Sequence, residues 1–252
     1  DTAARKSVPK TAVVNLDDPS ANYMLDRSAA APLTYALENR DAMVSARVLE
    51  LRPDGTGFQL LTPRGVVPAS IQLPAIFNVM NALAAAGVAV ACGMDPGEIA
   101  GGLASCPGVP GRMERISTGQ AFEVVVDYAH TGDAVRKVLS VLREVCRGRL
   151  IIVVGAAGER DPGRRFGVGR AAAEGADFAI FTSEDPRSEE PAAIVGEIGR
   201  HAEGAGRQRG RDFLEIEDRR VAIAEAFRRA GPGDTVVIAG KGHERSMVYG
   251  AE

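Results

Sequence analysis

From Ala121 onward the chain repeats one unit: a run rich in Val and Ile, a polar or glycine-rich turn, then a helical segment. "AFEVVVDYAH" leads into "TGDAVRKVLSVLREVC", "RLIIVVGAAG" into "RRFGVGRAAAEG", and "DFAIFTS" into "PAAIVGEIGRHAEG". "DFLEIED" leads into "DRRVAIAEAFRRAG", and "DTVVIAG" closes the series. Val135, Val138, Leu139 and Leu142 fall at i, i+3, i+4 and i+7, which is one face of a helix. The strand runs are almost unbroken in their apolar character, as strands covered on both faces require. Such strands alternating with helices predict an α/β fold with a mainly parallel sheet.

The first part of the chain has a different rhythm. "TAVVNL" (residues 11–16) is a short apolar strand closed by Asp17-Asp18-Pro19, a turn or helix start. "AMVSARVLEL" and "TGFQLLT" flank Pro53-Asp54-Gly55 and predict a β-hairpin. Residues 74–92, "PAIFNVMNALAAAGVAVAC", are Ala-rich and apolar on most faces, which predicts a well-buried helix. Asp95 and Pro96 supply the N-cap and first position of the next helix. "CPGVPG" (106–111) then sets the expected boundary, giving domains of 1–110 and 111–252.

A formal net charge of −3 offers no electrostatic footprint for nucleic acid. No apolar stretch reaches the roughly 20 residues of a membrane span. Cys92, Cys106 and Cys146 are odd in number and unpaired in spacing, so neither a disulfide framework nor a zinc site is suggested. A monomer in a reducing cytoplasm is the expectation. The start lacks Met and the end, "MVYGAE", stops just past a glycine-rich turn, so both read as cuts through a longer protein.

Ligands of open parallel sheets bind beyond the carboxyl ends of the strands. Four such ends carry titratable groups here. "VVVD" runs into Tyr128-Ala129-His130, "IIVVG" into Glu159-Arg160-Asp161, "FAIFTS" into Glu184-Asp185-Pro186-Arg187, and "TVVIAG" into Lys241-Gly242-His243-Glu244. "FLEIEDRR" is a charged strand end outside this set. Singly the signals are plainer: Gly155 and Gly158 read as turn glycines, Asp127 as a cap for the next helix, and His201 as a solvated helix residue. Lys241-Gly242 lacks the upstream Gly and following Thr or Ser of a phosphate-binding loop, and no Gly-x-Gly-x-x-Gly opens a helix. Arg160 and Arg187 are sharper, because an arginine fork grips a carboxylate bidentately. With Asp185 and Glu244 beside them to hold an ammonium, the pocket suits a zwitterion such as an amino acid.

In order, "NLDDPS", "FNVMNALAA", "PGRME", "DYAHTGDA", "GAAGERDPGRR", "TSEDPRSEEP" and "AGKGHE" resemble the Mur ligases of peptidoglycan synthesis. Within them they are most similar to the branch (MurE type) that adds the third, diamino residue to UDP-N-acetylmuramoyl-L-alanyl-D-glutamate. The resemblance runs from about Val13 to Glu244. It implies the second half of a P-loop-type central domain followed by a Rossmann-like C-terminal ligase domain. The activity implied is an ATP-dependent amide ligase, in which the substrate carboxylate is phosphorylated and an incoming amine attacks it. Asn81, with Asn78 nearby, then matches the adenine contact, while Arg112, Asp127 and His130 match ribose and phosphate positions. Arg160, Asp185, Pro186 and Arg187 match the site of the incoming diamino acid, completed by Gly240 and Glu244.

The chain departs from that family in several places. The "GTxGKT" loop, the Glu and His that hold magnesium and the carbamylated lysine are not in this sequence, so the magnesium ligands are expected upstream. Alone, these 252 residues are expected not to turn over. Gly132 stands where proline is usual, Ile76 where glycine is usual, and Glu184-Asp185 where the common motif reads Asp-Asn. Arginine at 187 favours diaminopimelate, whose far end carries a second carboxylate; acid at 185 pulls toward lysine or ornithine, and Glu184 or Glu189 could neutralise Arg187. Three alternatives stand: a ligase of the folylpolyglutamate or cyanophycin kind, a non-catalytic amino-acid-binding module, and, disfavoured by the missing glycine fingerprint, a dehydrogenase.

Overall fold

A computed structural model describes residues 10–52, 55–74 and 76–250. The chain divides into two compact units, with the division between Gly108 and Val109.

The first unit is a five-stranded sheet in the order β1-β2-β3-β4-β5. Its strands are β1 (Thr11–Asn15), β2 (Ala31–Ala36), β3 (Val44–Arg52), β4 (Gly55–Thr62) and β5 (Gly65–Ile71), with a short helix α1 (Ala21–Arg27) after β1. The first three run parallel and the last three antiparallel. Arg52 pairs with Gly55 as a hairpin demands, and the turn residues Pro53 and Asp54 lie outside the described residues. Sequence pattern missed β2 and β5. Each carries a proline, Pro32 and Pro68, which removes a ladder donor and argues against a strand; β5 tolerates it as an edge strand.

Helix α2 (Ile76–Ala91) lays Val79, Ala82, Leu83 and Ala86 on Leu33, Val44, Phe58 and Leu60. Ile76 and Val88 are exposed, so the expectation of burial on most faces is corrected. A helix covering one side of one sheet can bury only one stripe, and alanine elsewhere loses little by facing water. Helix α3 (Pro96–Ser105) begins as expected: Asp95 accepts from Gly97 N–H at 2.8 Å, and the Glu98 carboxylate takes Asp95 N–H at 3.1 Å.

The second unit holds β6 (Glu114–Arg115), β7 (Glu123–Asp127), α4 (Gly132–Val145), β8 (Leu150–Val154), α5 (Gly163–Gly175) and β9 (Phe178–Phe181). It continues with α6 (Pro191–Gly204), β10 (Phe213–Glu215), α7 (Arg219–Arg229) and β11 (Thr235–Ala239). The sheet order is β10-β9-β8-β11-β7-β6, all parallel except β6 against β7. Central β8 is buried along its whole length, where each large side chain contributes about 1.5–3 kcal/mol of transfer free energy. Helices α4, α5 and α6 pack side by side, and Val135, Val138, Leu139 and Leu142 form the buried face predicted for α4. Helix α7 buries Ala222 and Ala226 against Ile151, Val153, Ile180 and Val236. Because β9, β8, β11 and β7 are parallel neighbours, their carboxyl ends share one edge of the sheet.

Candidate amino-acid site

The loops leaving those four strands enclose a cavity of about 250 Å³. That is under the roughly 300–1,000 Å³ of drug-sized sites and suits a small molecule. Tyr128 and His130 reach it from β7, Ala157 and Arg160 from β8, and Arg164 from α5. Glu184, Asp185 and Arg187 come from β9, and Gly240, Lys241 and Glu244 from β11. Of the residues matched to ligands in the sequence, His130, Arg160, Asp185, Arg187, Gly240 and Glu244 meet here, joined by Tyr128, Glu184 and Lys241 from the same strand ends. Pro186 is buried within the β9 loop, where its carbonyl accepts from Glu189 N–H.

Sequence reading placed Glu184 at one of the four strand ends but gave it no ligand role, yet this side chain organises the site. It leaves β9 and lies across the end of β8 toward β11. A Cβ on Gly155 would sit 2.3 Å from the Thr182 carbonyl and 3.0 Å from Glu184 Cβ. A Cβ on Gly240 would sit 2.2 Å from Glu184 Oε2. Gly155 is therefore more than a turn residue: the two glycines clear the path that one carboxylate takes over three strand ends. Oε2 is closed from solvent and has no hydrogen-bond partner among the described residues. Burial pushes the Glu184 carboxyl up to about 7, against the pull of Arg219 and Lys241.

The neighbouring charges resolve differently from the sequence expectation. Asp185 does not wait for an ammonium ligand, since Lys241 Nζ lies 2.5 Å from its Oδ1 and Val248 N–H donates at 2.9 Å. Burial would raise its pKa, but Lys241 and that N–H outweigh burial and hold the carboxyl below the usual range. Glu189 does not neutralise Arg187: it grips Arg165 through both oxygens at 2.6 and 2.8 Å and takes Glu159 N–H at 2.6 Å. Buried Arg165 also binds Glu197 at 2.7 Å, bracing the β8 and β9 loops from α5. No ion pair forms to Arg187 among the described residues, and its Nε is buried without a partner. Glu244 Oε2 accepts from Gly242 N–H at 2.8 Å.

Backbone strain marks the same loops. Among the described residues, the non-glycine residues with positive φ are Glu159, Asp185 and Arg187 in these loops, at 54°, 40° and 57°, and Met113 outside them, at 49°. Left-handed conformations of this kind cost about 1–3 kcal/mol each and persist where the surroundings over-determine them. Arg187 is held by its backbone, whose N–H donates to Val248 at 3.0 Å and whose carbonyl accepts from Gly250 at 2.7 Å.

The residues matched to a nucleotide lie outside the cavity, His130 excepted. Asp127 caps no helix, for Thr131 caps α4; its oxygens accept Met113 N–H and Ala129 N–H, both at 2.8 Å. Burial raises its pKa despite these two donors. Arg112 stacks on the Tyr128 ring, 4.3 Å from its centroid. His130 Nδ1 is 2.9 Å from the Tyr128 carbonyl, which only accepts, so Nδ1 carries a hydrogen and Nε2 is left free. Asn78 and Asn81 belong to α2 in the first unit: Asn78 is buried and donates to the Pro74 carbonyl at 2.7 Å, while exposed Asn81 donates to Asn78 at 3.4 Å. His201 is stacked edge-on against Phe166 at 5.2 Å and is not simply solvated.

Similar proteins fall into one group. Residues 111–242 match a family profile described as "Mur ligase, glutamate ligase domain", and residues 4–89 one described as "Mur ligase middle domain". A UDP-N-acetylmuramyl-tripeptide synthetase of Roseiflexus sp. (strain RS-1) is 45% identical over 252 residues, covering 99% of this chain and 49% of the relative. A UDP-N-acetylmuramoyl-L-alanyl-D-glutamate–2,6-diaminopimelate ligase of Streptomyces coelicolor is 43% identical over 237 residues, 93% of this chain and 47% of the relative. A solved structure of a ligase so described aligns with a TM-score of 0.62 at 35% identity, over 96% of this chain and 50% of that one. Mycobacterium tuberculosis folylpolyglutamate synthase with ADP shares the fold, with a TM-score of 0.73 at 22% identity over 93% of this chain and 53% of that one. The chain thus spans about half the length of the curated relatives it matches.

Proposed function

Because the chain belongs to the Mur ligase family, we propose that it forms the amino-acid-adding part of an ATP-dependent amide ligase of peptidoglycan-precursor synthesis. The substrates proposed are meso-diaminopimelate and UDP-N-acetylmuramoyl-L-alanyl-D-glutamate. The residues proposed to take the domain roles are 1–110 for the central domain's later part and 111–252 for the C-terminal domain. A cytoplasmic enzyme follows from substrates of this kind; no helix among the described residues is long and apolar enough to cross a membrane.

One observation carries the substrate reading: a cavity that presents a guanidinium without an ion pair among the described residues together with a carboxylate. Arg187 forms no ion pair among the described residues and its Nε is buried without a partner, although its charge also acts on Asp185, and its fork can donate two parallel hydrogen bonds to a carboxylate. Arg160, exposed at the rim, adds a second cation for the other carboxylate. Glu184 and Glu244 receive ammonium. The objection to diaminopimelate, that Asp185 would repel its distal carboxylate, loses force because Lys241 already cancels that charge.

ATP, when bound, supplies the phosphoryl group that activates the acceptor carboxylate. Within the first unit, taken by itself, exposed Asn81 with Asn78 beside it is proposed for an adenine edge; within the second, taken by itself, Arg112 and His130 Nε2 are proposed for a phosphate. Asp127 fits less well, since backbone N–H groups take both its oxygens; its part is to fix the loop that carries Arg112. Among the described residues no group of three or more His, Cys, Asp or Glu side chains converges as a metal site, so no step is assigned here through magnesium.

Calorimetric binding to the 252-residue chain tests the pocket. Diaminopimelate should bind and lysine bind markedly more weakly, because lysine leaves Arg187 unpaired. Equal affinity for the two, or tighter lysine binding, would refute the proposed contact.

A further inference from the structure

Arg219 opens α7 from the charged strand end "EIEDRR", a stretch outside the four loops that line the cavity. Its Nη2 donates to the Ala239 carbonyl at 2.7 Å, which fixes the guanidinium at the last residue of β11, beside Gly240. Its Nη1 is closed from solvent and has no partner among the described residues. Glu184 Oε2 is in the same condition and is packed against Gly240. Two buried, oppositely charged groups thus share one strand end without a direct hydrogen bond. Apolar side chains of like shape would fill the space without burying a charge.

Charges from every neighbouring element act on Glu184. Arg219 gives the strongest attraction; Lys241 follows but is committed to Asp185, while Asp185 and Glu244 repel. Arg160, Arg164 and Arg187 stand around the cavity from the loops after β8 and β9 and from α5, with Tyr128 and His130 on the β7 side. Burial in turn lowers the pKa of Arg219, with Glu184 the foremost charge opposing this.

Resting on the cavity's reading as an amino-acid pocket, we propose that Arg219 is a positioning residue that acts through Glu184. Anchored on Ala239, it keeps that carboxylate ionised at the cavity and so sets the pH above which the pocket takes up an ammonium group. Burial favours the neutral carboxyl, which cannot pair with a cation. Arg219 opposes burial, and its removal shifts the balance toward the neutral form.

The test is a pH titration of the 252-residue chain labelled with ¹³C at the glutamate carboxyls, with Glu184→Gln identifying the resonance by its loss. The wild-type midpoint is expected at about 7, where burial places it. In Arg219→Met it should rise by about 1–3 pH units, the usual effect of losing an opposite charge. Arg219→Gln keeps a donor for Ala239 and loses only the charge, so its midpoint must rise as well, whether or not the Met variant folds. An unmoved midpoint in a folded variant overturns the proposal. A second arm measures meso-diaminopimelate affinity from pH 6 to 9. Arg219→Gln should weaken it about fivefold or more at pH 7, where a one-unit rise lowers the ionised fraction from about one-half to about one-eleventh, and the loss should shrink as pH rises toward the new midpoint. Equal weakening at every pH would show a merely structural role and overturn the proposal. A wild-type chain that binds no diaminopimelate, while the Glu184 midpoint still follows Arg219, would instead overturn the reading of the cavity.

Discussion

Replacing Gly240 by alanine puts a methyl group where the Glu184 carboxylate lies. The new Cβ would stand 2.2 Å from Oε2, and the backbone at 240 has φ of 92°, which L-residues avoid. Holding alanine in such a conformation costs about 1–3 kcal/mol. The overlap cannot persist, so Glu184 must swing away, and the strand end at Gly155 leaves its stem little room. A displaced carboxylate leaves Arg219 buried without its counter-charge, which adds about 1–3 kcal/mol. The expected loss of stability is therefore about 2–6 kcal/mol. Gly196→Ala is the matched control: it lies inside α6 and its Cβ would meet only the Arg200 tip at 3.9 Å. There the same change should stabilise by about 0.5–1 kcal/mol, by lowering the entropy of the unfolded chain. Urea unfolding of the three proteins, followed by circular dichroism, reads both signs. Gly240→Ala as stable as wild type, or no less stable than Gly196→Ala, would refute the account of Glu184 against Gly240.

Two further outcomes follow from the same groups. With a folded pKa of about 7 against an ordinary 4.5, Glu184 contributes stability that is full below about 4.5 and lost as pH rises through about 7. The difference between wild type and Glu184→Gln should therefore move by on the order of 3 kcal/mol between pH 4.5 and 8, and a flat difference in urea titrations would contradict the burial argument. Arg165→Met removes a buried partner of Glu189 and Glu197 and should cost about 3 kcal/mol. By releasing Glu189 from Glu159 it should also weaken amino-acid binding, and loss of stability with unchanged affinity would show that the brace does not reach the pocket.

Much of this was readable from residue order because the physics was local. The unbroken run Leu150–Val154 could only be a central strand, and the spacing of Val135, Val138, Leu139 and Leu142 could only be one helix face. Asp95 and Pro96 announced a helix start that the backbone then makes. What stayed hidden depends on contacts far apart in sequence. Lys241, at a strand end that lacks the features of a phosphate loop, had no partner legible in the sequence, yet it meets Asp185, 56 positions away. Glu184 looked like one acid among four, because nothing local shows that glycines at 155 and 240 make room for it. "FLEIEDRR" looked like a counterexample to charged functional strand ends, yet Arg219 from that stretch is the strongest attraction on Glu184. Strands β2 and β5 escaped for a plainer reason, since Pro32 and Pro68 spoil the pattern while the sheet accommodates them.

In the proposed reading this pocket selects a diamino acid by its distal carboxylate, through Arg187. The most direct measurement joins this chain to the remaining front half of the Streptomyces coelicolor relative and compares kcat/KM for meso-diaminopimelate, lysine and ornithine. Truncating one member of a desolvated charge pair typically costs about 2–5 kcal/mol, or roughly 30- to several-thousand-fold. Diaminopimelate should lead by a factor in that range, and Arg187→Ala should erase the lead while leaving the enzyme folded. A lead for lysine or ornithine, or an Arg187→Ala enzyme that keeps its preference for diaminopimelate, would contradict it.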